Sequence, residues 1–213
     1  MTEIFGQTVD EVIDTVEALR AHAGQPSELV QRKVIDRIDP LAERFIAASP
    51  LCFVSTLRPE GGVDVTPRGD PQGFVHVLDD RTLALPDRPG NKLMDTFENV
   101  IRTGHIGLIF VIPGHRDTLR VAGRAKLVRD ETLGARLSVN DRPSPFVVLI
   151  HVERVLSHCP KAFIRGQVWS PEHWPDLSDV PSLAELVQAH AALPETVEEI
   201  QTHIDNSVRE RLY

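Results

Sequence analysis

Cysteine, tyrosine and long apolar runs are what this 213-residue chain has least of. Its two cysteines, Cys52 and Cys159, cannot build a disulfide framework or a zinc knuckle by themselves. No apolar stretch approaches the roughly 20 residues that span a bilayer, and no secretory apolar region follows Met1, so a reducing cytoplasm is the expected compartment. Positive charge is also short. Against 31 Asp and Glu stand 23 Lys and Arg, and the net charge of −8 argues against neutralising nucleic-acid phosphates or anionic lipid. There is no G-x-S-x-G, H-E-x-x-H, C-x-x-C, Gly-rich Lys-Ser/Thr loop or G-x-G-x-x-G after a strand. Hydrolase, zinc and P-loop readings therefore lack support. The nine histidines are scattered, and neighbours such as His158-Cys159 rarely point at one ion, so no metal site is expected.

What is present is a globular composition, 41% hydrophobic and 25% charged, which favours one folded domain over disorder. The acid lies at the ends. Residues 1–57 carry −4 and residues 129–213 carry −5, whereas residues 58–128 carry +1 and can accept a small anion without a repelling field.

The periodicity changes along the chain. From Thr8, with Glu11 three positions on, Val9, Val12, Ile13, Val16 and Leu19 predict a helix that closes at Gly24 to Pro26, and a second helical stretch starts near Ser27. Asp39-Pro40 reads as an N-cap with proline at the first helical position, ahead of Leu41, Phe45 and Ile46. Short strand-like runs follow at 51–57, 62–66, 73–78 and 82–86, divided by turn signals, and they predict an antiparallel meander. A short helix is expected over 91–100 and longer strands over 105–112, 117–128 and 146–157. In 117–128 one face is apolar and the other carries Arg120, Arg124 and Lys126, an arrangement that usually faces water. Two helices finish the chain, the first opened by a Ser182–Glu185 capping box ahead of Leu183, Leu186 and Val187, the second with a Val197, Ile200, Ile204, Val208, Leu212 stripe that needs a partner surface. The fold class this implies is mainly β with helical extensions (α+β), an antiparallel split β-barrel of about six strands. Its parts are an N-terminal helical extension over 1–50, a barrel core over 51–158 and a C-terminal helical extension over 159–213.

The chemistry is concentrated between Asp64 and Asn99. V-D-V-T-P-R-G-D-P at 63–71 and L-P-D-R-P-G-N-K at 85–92 each end a strand in a tight turn and each carry an arginine, Arg68 and Arg88. Arg88, Lys92 and the free amides of a helix start near Gly90 are placed to converge on one phosphate. The plain alternative is a hairpin with solvent-facing cations, in which Asp70 and Asp87 simply pair with neighbouring arginines. Cys52, inside an apolar strand, reads as a small core residue rather than a nucleophile.

The order of T-P-R-G-D, a hairpin, L-P-D-R-x-G-N, a helix, long strands and then C-P-K-A resembles the FMN-binding split-barrel proteins of the pyridoxamine 5'-phosphate oxidase-like family. The likeness covers roughly residues 36–170 and is to the bacterial FMN-binding branch of uncertain substrate. The characteristic Arg-x-Val-Leu-Leu-Lys strand of the vitamin oxidases reads here V-D-V-T-P-R-G-D, and from residue 170 on the charge is −7 rather than basic. The resemblance implies FMN as cofactor. Thr66, Pro67, Arg68, Gly69 and Asp70 would lie along the isoalloxazine ring. Leu85, Pro86, Asp87, Arg88, Asn91 and Lys92 would hold the ribityl chain and phosphate. It further implies a homodimer with the cofactor at the subunit interface, where Lys161, Arg165 and Trp169 of a late segment would close the site. For Trp169, an aromatic anchor in the helical extension is the plain alternative.

The expected function is that of a cytoplasmic FMN-binding flavoprotein, an oxidoreductase passing electrons or hydride to a small organic acceptor or oxygen. The flavin would carry the redox step, so no catalytic side chain is named. Alternatives are the same barrel around a deazaflavin or a haem, the latter with His158 or His105 as axial ligand, a non-catalytic FMN-binding module, or a helical interaction protein working through its terminal stripes. A small-molecule substrate is expected, and neither nucleic acid nor membrane as partner.

Overall fold

The computed structural model describes all residues, Met1–Tyr213, as two compact units, Met1–Val34 and Ile35–Tyr213. In the first unit, strands β1 (Thr2–Ile4) and β2 (Gln7–Val9) pair around Phe5 and Gly6. Both turn residues have positive φ, as a two-residue hairpin of this hand requires. This corrects the helix predicted from Thr8. The amphipathic spacing there is real, but the hairpin claims Thr8 and Val9. Helix α1 (Val16–Ala23) begins only where Thr15 caps Ala18 N, at 3.1 Å. Helix α2 (Glu28–Arg32) follows, with Ser27 as its N-cap.

The second unit opens with α3 (Pro40–Ala48), where Asp39 Oδ1 accepts from Ala42 N at 2.7 Å and Pro40 occupies the first turn. Seven strands follow: β3 (Leu51–Leu57), β4 (Val63–Gly69), β5 (His76–Asp79), β6 (Thr82–Pro86), β7 (His105–Val111), β8 (Thr118–Val128) and β9 (Val147–His158). Helix α4 (Asp95–Thr103) lies between β6 and β7, and α5 (Glu131–Arg136) between β8 and β9. All pairings are antiparallel, in the order β4-β3-β7-β8-β9-β6-β5. The four early strands are therefore two hairpins at opposite edges of one sheet and not a meander. Strands β7, β8 and β9 lie between them, and β8 and β9, at 11 and 12 residues the longest strands, pair with each other near the centre. β4 and β5 remain edges, so the sheet is open, a split barrel.

Alternation along the strands sorts the two faces. Cys52, Val54, Ile106, Leu108, Phe110, Leu119, Val121, Val148 and Ile150 point into one cluster with Ile46 of α3 and Phe97 and Val100 of α4. Burying each such side chain contributes about 1.5–3 kcal/mol. α4 is further tied to β3 by Asn99 Nδ2, which donates to the buried Thr56 hydroxyl at 3.1 Å. The β8–β9 register shifts between Ala122 and Gly123, and a Cβ at Gly123 would stand 1.9 Å from the His151 carbonyl oxygen. Only glycine admits that approach. On the other face, Arg120, Arg124 and Lys126 are exposed, as expected.

After β9 come α6 (Lys161–Arg165), α7 (Leu183–Ala191) and α8 (Val197–Arg211), the last two each opened by a capping box, Ser182 with Glu185 and Thr196 with Glu199. The α8 stripe is buried only at Ile200; Val208 and Leu212 are exposed. No helix is long and apolar enough to cross a membrane.

Candidate functional site

Strand β6 runs two residues past its last partner on β5, since His76 pairs with Ala84 while Leu85 and Pro86 pair only with Val148 and Val147 of β9. The chain is pinned as it leaves the sheet. Asp87 N donates to the Ser144 hydroxyl at 2.9 Å and to Phe146 O at 3.0 Å, and Ser144, itself buried, donates back to Phe146 O at 2.6 Å. Residues 89–94 are exposed. Lys92 (φ 63°) and Met94 (φ 61°) are left-handed, and Asn91 Oδ1 accepts from Leu93 N at 3.0 Å. These turns delay α4 to Asp95, four residues beyond the predicted start, and Met94 gives it no side-chain cap. Asp95 and Glu98 already face its N-terminal dipole. The free amides near Gly90 are thus those of the loop and not of a helix start.

The other segment is the edge strand β4, where Pro67 is tolerated because one backbone edge has no partner strand. Thr66, Arg68 and Asp70 are half-buried on one face, and Pro67 and Gly69 are exposed on the other. Arg68 folds back on the Thr66 hydroxyl (2.8 Å) and Pro67 O (3.0 Å) and reaches the Thr96 hydroxyl of α4 (3.1 Å).

One ion pair joins the two segments. Arg88 Nε donates to Asp70 Oδ2 at 2.5 Å, and the side chains are 17% and 1% exposed. The other guanidinium nitrogens donate to Leu137 O (2.8 Å) and Asp87 O (3.2 Å). In this structure Arg88 is therefore occupied by protein acceptors, where the sequence expectation offers it to a phosphate. Its charge is drawn to the nearest buried carboxylate, and its work is to tie the loops together. Asp70 Oδ1 is buried and accepts no hydrogen bond of normal geometry. Leu85 and Pro86 are buried as well, Leu85 in the main apolar cluster, so their side chains are not free to meet a ligand.

The local electrostatics follow from this packing. Burial raises the Asp87 carboxyl above its ordinary value, against the opposing pull of a backbone hydrogen bond and of Arg68 and Arg88. Burial pushes the Cys52 thiol up to about 12, so it is inert in its strand. Facing the loop is a cleft of about 950 Å³, lined among others by Arg88, Asn91, Lys92, Arg142, Arg211 and Tyr213. Its far wall is the end of α8.

A family model described as pyridoxamine 5'-phosphate oxidase matches residues 38–159, more than half of the chain. The chain belongs to that family. Among solved structures it is similar to HupZ of Group A Streptococcus, with 21% identity over 56% of this chain and 93% of that one, TM-score 0.46. It is also similar to a protein of Clostridium acetobutylicum related to general stress protein 26, with 14% identity over 55% and 85%, TM-score 0.43. An F420 reductase shares 16% identity over 53% and 94%, TM-score 0.41. No curated protein matches the chain.

Both tied segments, with Ser144 and Arg142, fall inside the matched region of this pyridoxamine 5'-phosphate oxidase family member; α6, Trp169 and α8 fall beyond it. Within the chain, Trp169 has other partners. Its indole N–H donates to His115 O at 2.8 Å and its ring stacks on Phe163, with centroids 5.7 Å apart. Lys161 and Arg165 are exposed on α6. Sequence reasoning missed Thr96, Leu137, Arg142, Ser144 and Tyr213. Leu137 acts through its carbonyl alone, and Arg142 and Ser144 sit in an irregular loop with no periodicity to mark them.

Proposed function

We propose that the chain binds flavin mononucleotide between β4 and the 87–94 loop and acts as an oxidoreductase on a small organic acceptor or oxygen. The observation that carries this reading is the Asp70–Arg88 pair, which holds the T-P-R-G-D turn and the L-P-D-R-P-G-N-K loop against each other. The donor set suits a phosphomonoester: Lys92 is exposed and enters no ion pair of the chain, and the loop amides beside it open on a cleft of mononucleotide size. Lys92 and Asn91 would hold the phosphate end, while Thr66 to Asp70 would wall the ring end with the free backbone edge of β4. When bound, FMN supplies two-electron redox chemistry at its ring, and the protein supplies position and electrostatics.

A second copy of the chain would cover the outer face of the sheet. Phe53, Leu57, Val63, Val65 and Ile109 are all at least 39% exposed and adjoin one another through the β4-β3-β7 register. An exposed apolar patch of that kind marks a partner surface. Lys161, Arg165 and Trp169 of the second copy would then be available to close the site.

The test is titration of purified protein with FMN, followed by anaerobic NADH or NADPH. Saturable quenching of flavin fluorescence and bleaching by one reductant are expected. A protein that leaves flavin fluorescence unchanged overturns the reading. Bound flavin that stays yellow with both reductants leaves a passive FMN module, and a Soret band in the purified protein assigns haem instead. Val65→Glu is expected to turn a dimer into a monomer by light scattering.

A further inference from the structure

The α8 wall of the cleft is unusual in how little holds it. Beyond Ile200 the helix buries no side chain, and residues 208–212 are exposed, yet Tyr213 at its end is half-buried again. What anchors it is polar. An Arg142 guanidinium N–H donates to the Tyr213 main-chain oxygen. The phenol stands beside the Asp70 carboxylate, whose Oδ1 is buried without a partner of normal geometry, and burial with that negative neighbour raises the phenol's pKa. The Arg142 side chain makes no other hydrogen bond or ion pair, while its backbone pairs with Val139. A guanidinium that lines a cationic cleft with Lys92 and whose one acceptor is a main-chain oxygen of a weakly packed turn is satisfied by a stand-in.

We propose that Arg142 is an oxyanion-binding residue of this cleft and that the last turn of α8 is a latch, Tyr213 lending Arg142 its main-chain oxygen until the oxyanion of a ligand takes that place. The proposal rests on the cleft being the phosphate end of the mononucleotide site. Opening exchanges that main-chain oxygen for the ligand's oxyanion and frees the phenol from Asp70. No covalent step is involved. Arg142 would then share the ligand's phosphate with Lys92 across the cleft, which accounts for two cations where Arg88 is withdrawn.

Tyr213 is the only tyrosine of the chain, so protein labelled with fluorotyrosine gives one ¹⁹F resonance that reports on the latch alone. The wild-type resonance is expected to move to a second position with FMN and with inorganic phosphate, but not with riboflavin, which has the ring and no phosphate. Arg142→Gln is expected to start at the second position and to weaken FMN by about tenfold, the worth of one charge-assisted hydrogen bond, while riboflavin affinity is unchanged. Tyr213→Ala is expected to tighten FMN. Arg142→Lys, which keeps the charge, guards against a Gln variant that misfolds and is expected to retain part of the FMN affinity. If FMN binds while the resonance stays put in wild type and is the same in Arg142→Gln, the latch is overturned and the flavin site stands. If FMN does not bind but phosphate and Arg142→Gln both move the resonance, the latch stands and the flavin reading falls.

Discussion

Replacing Arg88 with methionine keeps most of the stem and removes the charge, leaving the Asp70 carboxylate, with its side chain 1% exposed, without its cation. Breaking a buried pair from one side costs about 3–5 kcal/mol, most of it from the stranded charge. Arg88 keeps 17% exposure and some water reaches the gap, so the lower end of that range applies. The Leu137 carbonyl also loses its donor, which adds about 1 kcal/mol. The sum, about 4 kcal/mol, is a large share of the roughly 5–15 kcal/mol that holds a domain folded, and corresponds to a fall in Tm of about 8–16 °C. The double variant Asp70→Leu/Arg88→Met replaces the pair by apolar groups and is expected to recover at least half of the loss, because the stranded charge is gone. Urea denaturation followed by circular dichroism, run as a double-mutant cycle, measures both. A single variant that loses under about 1 kcal/mol, or a double variant no more stable than Arg88→Met, refutes the tie between the two loops and with it the basis for one site.

Gly123→Ala should destabilise by about 3 kcal/mol in the same assay, since its Cβ would collide with the His151 carbonyl in the central β8–β9 pair. Asp87→Asn tests burial of a carboxyl. A folded-state pKa raised above the ordinary 3.8 gives stability that is present below 3.8 and lost as pH rises through the raised value, so the Asn variant should gain on wild type from acid to neutral pH, read from urea midpoints. With the Cys52 thiol at about 12 and fully buried, a maleimide pulse should modify Cys159 alone in native protein and both cysteines in urea, as mass spectrometry will show. Lys92→Gly should raise stability by up to about 1 kcal/mol by relieving a left-handed lysine, while weakening FMN binding in the fluorescence titration.

Local signals in the sequence were sufficient wherever the structure is decided locally. Asp39-Pro40, Ser27 and the Ser182–Glu185 box mark helix starts because each cap is a contact between residues three apart. The alternation of Leu119, Val121 and Ala125 with Arg120 and Arg124 marks the faces of β8 for the same reason. The strand order was not legible: 63–69 and 76–79 are neighbours in sequence, yet they end at opposite edges because β3 pairs with β7 and β6 with β9, contacts between residues far apart in the chain. The amphipathic run from Val9 to Leu19 misled because a two-residue turn at Phe5-Gly6 outbid it locally. At the site, motif spacing identified the two segments that meet, but the assignment of charge within them depends on burial. Arg88 turned inward to Asp70 because Asp70 lies at the end of β4 with no solvent to offset it, and no linear pattern records that.

That inward turn explains why the loop carries a second cation in a strained conformation. Arg88 and Lys92 are four residues apart but are placed differently: Arg88 holds β4 and the loop together, and Lys92 is left exposed on the turn. A lysine at φ 63° costs about 1 kcal/mol over glycine, a cost with no packing return at an exposed position. Strain of this kind persists where it places a functional group. The two cations are therefore separable by experiment. Loss of Arg88 should lower stability and ligand affinity together, whereas loss of Lys92 should lower affinity while stability rises, and a Lys92→Gly protein that binds FMN as wild type does would leave its left-handed lysine without a role.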